Sequence, residues 1–219
     1  MQLDDPSRGF SFKLDGPLDL RMNPNKGQSA AQWLTKVSET DLIQALKENA
    51  DEPHAEVIAN AILRIQSHSP IQTTQQLSQV VLNALNQGKG QTEEKKDSVR
   101  RVFQAIRIAV NAEFQTLESF LRVLPDCLKP GGRVAILTFH SGEDRRVKHA
   151  FQNGLHQGHY SQIAEEVTRP SREEIHTNPR ASSAKLRWAI KTSLHRKASD
   201  LPKTELDSTL LISEDREEQ

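Results

Sequence analysis

Four polar side chains, His140, Ser141, Glu143 and Asp144, sit at or just beyond the end of a short apolar run, Val134–Phe139 (VAILTF). The stretch Arg133–Phe139 has strand length and composition. Because it does not alternate, it suits a central strand of a parallel sheet, covered on both faces. In open α/β sheets, ligands bind beyond the C-terminal ends of strands. An imidazole, a hydroxyl and two carboxylates at that place can hydrogen-bond a polar substrate and accept or pass on a proton. The same residues also have a plainer use. Ser141 and Asp144 stand at capping-box spacing, so a helix over Glu143–Phe151 is expected to start there. A second polar run, Asn178, Arg180, Ser182, Ser183 and Lys185, precedes the alternating Leu186, Trp188 and Ile190. That alternation reads as an edge or antiparallel strand. Arg180 and Lys185 suit phosphate oxygens, whereas Asn178-Pro179 is equally suited to anchoring a loop.

These residues need a frame. Residues 1–27 are punctuated by Pro6, Gly9, Gly16, Pro17, Pro24 and Gly27, so they read as irregular, with Leu18 and Leu20 lying against something. From Ser29 onward, short helices are expected. Ser29 with Gln32, Ser38 with Asp41, and Thr73 or Thr74 mark helix starts, and Leu42, Leu46, Ile58, Ile62, Leu77 and Val81 recur at helical spacing. Residues 86–97 read as a polar loop. One long helix is expected from Ser98 to Leu124, because Val99, Val102, Phe103, Ile106, Val110, Phe114, Leu117 and Leu121 keep a single stripe. Residues 152–185 read as loop and everything after Arg196 as disordered. Within this frame Asp19 and Arg21 are candidates for an internal ion pair, and Arg107 for a helix-surface pair.

Composition narrows the class. Hydrophobic residues are 35% and charged residues 26%, which allows one modest core plus exposed helices. The net charge is zero, yet residues 169–197 carry eight Lys/Arg against two Asp/Glu, and residues 200–219 reverse this with two against seven. A basic stretch is compatible with a phosphate-facing surface. The single cysteine, Cys127, excludes disulfides within the chain and fits a reducing compartment. No segment is apolar enough to cross a membrane and no signal core is present, so the reading is cytoplasmic. His149, His156 and His159 lack the spacing and acidic partners of a metal site. Trp33 and Trp188 read as core or interface residues.

Five ordered blocks carry a resemblance. They are RGFSFKLDGPLDLRMN (Arg8–Asn23), GQSAAQWL (Gly27–Leu34), VFQAIRIAVNAEF (Val102–Phe114), GGRVAILTFHSGEDRRVK (Gly131–Lys148) and NPRASSAKLR (Asn178–Arg187). Together they resemble the MraW family of S-adenosylmethionine-dependent ribosomal RNA methyltransferases. The resemblance implies an α/β fold, an incomplete Rossmann-like methyltransferase domain with an inserted helical subdomain. It divides the chain into 1–27, a methyltransferase-domain segment and linker; 28–97, the RNA-recognising insert; 98–195, the rest of the methyltransferase domain; and 196–219, an acidic tail. It implies methylation of the exocyclic amine of a cytidine in small-subunit ribosomal RNA, with S-adenosyl-L-methionine as donor. The implied partner is that RNA or the assembled small subunit, and an oligomer is compatible. By this resemblance His140, Ser141 and Asp144 are catalytic, Gln2 contacts the donor, and Arg101, Arg180 and Lys185 bind RNA. The family's glycine-rich donor cradle and amine-facing loop match nothing in this sequence, so a truncated member that binds the donor weakly is expected. A catalytically inactive RNA-binding remnant is the alternative. Three departures stand out. Asn23 replaces the usual Asp, KKDSVR (Lys95–Arg100) replaces the usual His-Pro start, and Gly142 replaces a bulky apolar residue, which implies a looser turn.

Overall fold

The computed structural model describes residues 5–85 and 93–193. The described residues open with a 3-10 turn, Pro6–Arg8, and an irregular segment, then helices α1 (Ala30–Leu34), α2 (Glu39–Ala50), α3 (Ala55–Gln66) and α4 (Thr74–Ala84). Two helices follow, α5 (Glu93–Asn111) and α6 (Glu113–Cys127). Next come strand β1 (Arg133–Thr138), helix α7 (Ser141–His156), strand β2 (Tyr160–Ile163), helix α8 (Arg172–Thr177), a 3-10 turn (Pro179–Ser183) and strand β3 (Lys185–Lys191).

The early helices start where their caps predict. Ser29 and Thr73 each form a complete capping box, with Gln32 and Gln76 returning the bond, and Ser38 accepts from the Asp41 N–H. Their apolar stripes meet in one core that includes Leu42, Leu46, Ile58, Ile62, Leu77 and Val81, and α5 adds Val102, Phe103 and Ile106 to it. The irregular N-terminal segment is pinned onto that core. Leu18 and Leu20 are each 1% exposed. Leu20 has a left-handed backbone (φ 62), which costs a residue with a Cβ roughly 1 kcal/mol or more. Asn111 holds this turn from both sides, donating to Leu20 O at 2.7 Å and accepting from Met22 N at 2.6 Å. Gly9 (φ 69) lies so close to Pro17 that a Cβ would come within 2.4 Å of its carbonyl oxygen. The expected Asp19–Arg21 pair is present and bidentate, at 2.7 and 2.8 Å.

The long helix expected over Ser98–Leu124 is two helices, and α5 begins at Glu93, inside the expected polar loop. The chain breaks at Ala112, which takes a left-handed backbone (φ 49). Asn111 explains the break: its side-chain amide donates to Arg107 O as well as to Leu20 O, and so offers the backbone an alternative to the next helical bond. Arg107 then spans the break in a two-point ion pair with Glu113, at 2.8 and 2.9 Å. The apolar stripe runs through the break unchanged, so periodicity could not reveal it.

The sheet also differs from expectation. Its order is β1-β3-β2, and both pairings are antiparallel, with Ala135 opposite Trp188 and Leu137 opposite Leu186. Among the described residues β1 is therefore an edge strand, not a central strand of a parallel sheet, and β3 is the centre. One face packs through Val134, Ile136 and Ala189 against Leu121, Leu124, Val147 and Phe151 of α6 and α7. The other face leaves Leu137 53% and Trp188 37% exposed. The apolar composition of VAILTF marks both faces for burial, but here only one is buried. The expected loop over 152–185 contains β2, α8 and the end of α7. No described helix is long and apolar enough to cross a membrane.

Candidate active site at the end of the first strand

The turn after β1 is built by a cap one residue earlier than expected. His140, with an extended backbone (φ −142), is the N-cap of α7, and its ring Nδ1 accepts the Glu143 N–H at 3.4 Å. Ser141 is free of capping duty. Its hydroxyl instead donates to Asp51 Oδ2 at 3.1 Å, on the left-handed C-cap of α2 (φ 50). Arg145 Nη2 donates to the same carboxylate at 3.1 and 3.3 Å. Asp51 thus clamps the helical core to the start of α7 across 90 residues of sequence.

Because Nδ1 accepts, the neutral form of the His140 ring carries its proton on Nε2, a tautomer assigned from the network. Nε2 lies 3.4 Å from Glu143 Oε1, within ion-pair range, but it is not aligned for a hydrogen bond and is left buried without a hydrogen-bond partner. Glu143 Oε2 accepts the Phe139 N–H at 3.0 Å. Burial alone would raise the Glu143 carboxyl. The His140 imidazole, the Phe139 N–H and the more distant Arg107 charge hold it below its usual range instead.

Asp144 is committed to a different task. Arg187 of β3, 8% exposed, donates from Nε to Oδ1 at 2.6 Å and from Nη2 to Oδ2 at 3.2 Å. Lys185 Nζ stands 4.0 Å from Oδ2. Burial pushes the Asp144 carboxyl up, and the bond and charge of Arg187, with Lys185 and Arg169, bring it down further than burial raises it. A carboxyl whose pKa is depressed by folding stabilises the fold fully above its unfolded value, near pH 4, and loses that contribution as pH falls through the lower folded value. Asp144→Asn should therefore flatten the fall in stability below about pH 4 in urea melts, and a slope equal to wild type would remove Asp144 from the account.

Gly142 does not loosen the turn. It is buried, and a Cβ there would meet Phe114 Cζ at 2.6 Å. The Phe114 ring is fixed by the Arg146 guanidinium, 3.5 Å from its centroid, and by the tilted His140 ring at 5.8 Å. Phe114 therefore fills the volume a bulky residue at 142 would need. Gly142→Leu should cost about 2 kcal/mol by overpacking, and Phe114→Leu in the same chain should recover part of it. A double variant no better than the sum of the singles, in chemical denaturation, would show that the two positions are not coupled.

The structure thus gathers His140, Ser141, Glu143, Asp144 and Lys185 at one end of β1. Arg101 stands apart from this group: it reaches Glu52 Oε2 at 3.5 Å, and the buried Glu52 carboxylate also accepts from Ser98 Oγ and His54 N. Arg180 is exposed on the 3-10 turn leading into β3. Gln2 lies outside the described residues. His149 and His159 line a cleft of about 830 Å³ between α2, α6 and α7. Asp51, Arg145 and Arg187 belong to the site's frame but were not singled out from sequence. Arg187 closes the NPRASSAKLR block, a position that could have drawn notice. Asp51, 90 residues from Ser141, gave no signal.

A helical core docked on a small sheet, with a braced polar turn at a strand's C-terminal end, defines a mixed helix–sheet protein with a polar strand-end site. The comparisons are narrower. Residues 1–192 match the MraW methylase family, and the chain belongs to it. It is 53% identical over 194 residues to ribosomal RNA small subunit methyltransferase H 1 of Lachnoclostridium phytofermentans, covering 87% of this chain and 53% of that protein. It is 54% identical over 194 residues to methyltransferase H 2 of Alkaliphilus metalliredigens, covering 87% and 56%. It is 39% identical over 209 residues to methyltransferase H of Nitrosomonas eutropha, covering 87% and 66%. The chain spans about half the length of the first two relatives.

Proposed function

We propose that this chain is the part of an S-adenosylmethionine-dependent methyltransferase that completes the pocket for a cytidine of small-subunit ribosomal RNA, methylated on its exocyclic amine. The observation that carries the reading is the strand-end turn, where an orphaned His140 Nε2 and an ionised Glu143 carboxylate share one half-buried place in a member of the MraW family. The donor supplies an electrophilic methyl group, and catalysis of such a displacement is mostly positioning. A cytosine amine is a weak nucleophile because its lone pair is conjugated with the ring, so the site must accept hydrogen bonds from it. Glu143 can accept such a bond and the proton released on methylation. His140 caps α7 and orients that carboxylate, and Ser141 lines the same turn. Asp144 acts through Arg187 to hold α7 against β3, a positioning role. Gln2 is retained as a donor contact. Arg180 and Lys185 are assigned to RNA phosphates, as is Arg101, which also balances buried Glu52. Residues 28–97 are assigned to recognising the RNA, presented by the ribosomal subunit in the cytoplasm.

The test uses a chimera in which residues 1–192 replace the matching stretch of the Lachnoclostridium phytofermentans relative. With labelled S-adenosylmethionine and unmethylated small subunits, nucleoside mass spectrometry should find methylated cytidine. A folded chimera that binds donor and RNA yet transfers no methyl group would refute the proposal.

A further inference from the structure

Strand β3 begins with a surplus of positive charge. Lys185, Arg187 and Ala189 alternate along it, and Ala189 packs against α6 and α7 on the covered face of the sheet. Both cations therefore stand on that covered face, at the end where α7 starts. A third joins them. Thr168 and Leu186 exchange both backbone bonds, Thr168 N to Leu186 O at 3.0 Å and Leu186 N to Thr168 O at 2.9 Å. In an antiparallel pair the neighbouring residues, Arg169 and Lys185, then face each other on one side of the sheet. The charges of all three cations reach Asp144. That carboxylate is already taken. Arg187 holds both of its oxygens, at 2.6 and 3.2 Å, and Lys185 Nζ stops at 4.0 Å. Among the described residues Lys185 Nζ makes no hydrogen bond, and exposed Arg169 makes neither a hydrogen bond nor an ion pair. Like charges directly opposite on adjacent strands destabilise a sheet, so this pair calls for an anion.

We propose that Arg169 and Lys185 form a clamp for one phosphate of the RNA, seated beside the Arg187–Asp144 pair. The clamp rests on the RNA reading above and adds Arg169 to it. A phosphodiester has two free oxygens, and each can take one charge-assisted bond, from the guanidinium and from the ammonium. Asp144 directly follows Glu143 on α7, so the phosphate belongs to the nucleotides flanking the methylated cytidine. The Arg187–Asp144 pair fixes β3 against α7 and so keeps the two cations facing each other before RNA arrives.

Fluorescence anisotropy on the full 219-residue chain, with a labelled single-stranded RNA oligonucleotide, tests it across a salt series. In Arg169→Ala and in Lys185→Ala the slope of log affinity against log salt should each be shallower by about 0.7, the share of one phosphate contact. Arg169→Glu separates this from a structural role. It places opposite charges across the strand pair, so the free chain should melt roughly 2 °C higher, while RNA binding weakens. A wild-type chain that binds no RNA at low salt, an unchanged slope in Arg169→Ala, or an Arg169→Glu chain that loses both stability and RNA binding would each overturn the clamp. If the slopes change as expected and the chimera transfers no methyl group, the clamp stands and the methyl-transfer reading falls.

Discussion

Asp144→Ala is expected to destabilise the protein by about 3 kcal/mol, the cost of leaving a buried arginine without its partner. Arg187 is 8% exposed, and both of its short bonds from Nε and Nη2 go to Asp144. Removing the carboxylate leaves a guanidinium charge in a place with little access to water. Replacing both partners tests the mechanism. Asp144→Ala with Arg187→Met should recover much of the loss, because an apolar pair leaves no uncompensated charge. Urea denaturation of the four proteins of this cycle gives the coupling directly. If the double variant is as unstable as Asp144→Ala alone, the loss comes from packing and the ion pair is not its source. The prediction bears on function, because this pair ties the start of α7, and so the His140 turn, to the sheet.

The second large effect concerns His140. In the chimera with the Lachnoclostridium relative, His140→Ala should lower kcat by roughly 100-fold, the order expected when the group that positions the proton-accepting carboxylate is lost. Two functions disappear together. The cap of α7 is lost with Nδ1, and the orphaned Nε2 no longer stands beside Glu143. His140→Asn separates them, since asparagine is a good helix cap but has no ring nitrogen. Recovery of folding stability without recovery of kcat would assign the imidazole to the reaction. Recovery of both would reduce His140 to a cap. A rise in KM with kcat unchanged would place it in uniform binding of the RNA, and not in the transition state.

The sequence by itself determined the local elements whose signals are local. Ser29, Ser38 and Thr73 start helices because their hydroxyls satisfy N–H groups three residues ahead, and that spacing is readable. Leu42, Leu46, Ile58, Ile62, Leu77 and Val81 enter one core because helical periodicity puts them on one face of each helix. The Asp19–Arg21 pair was legible because opposite charges stand two residues apart, and the strand-end location of His140 and Ser141 followed from the apolar run before them. The five ordered blocks identified the family. Only the tertiary structure decided the rest. The helix breaks beside Asn111, whose amide donates both to Arg107 O and to Leu20 O, the latter 91 residues away. His140, not Ser141, caps α7 because Asp51 takes the Ser141 hydroxyl from another helix. Asp144 is tied up by Arg187, which only strand pairing brings near. Phe114 makes Gly142 a packed position. In each case the deciding partner is remote in sequence, and a composition or spacing rule carries no information about which distant group will compete for a hydrogen bond or fill a volume.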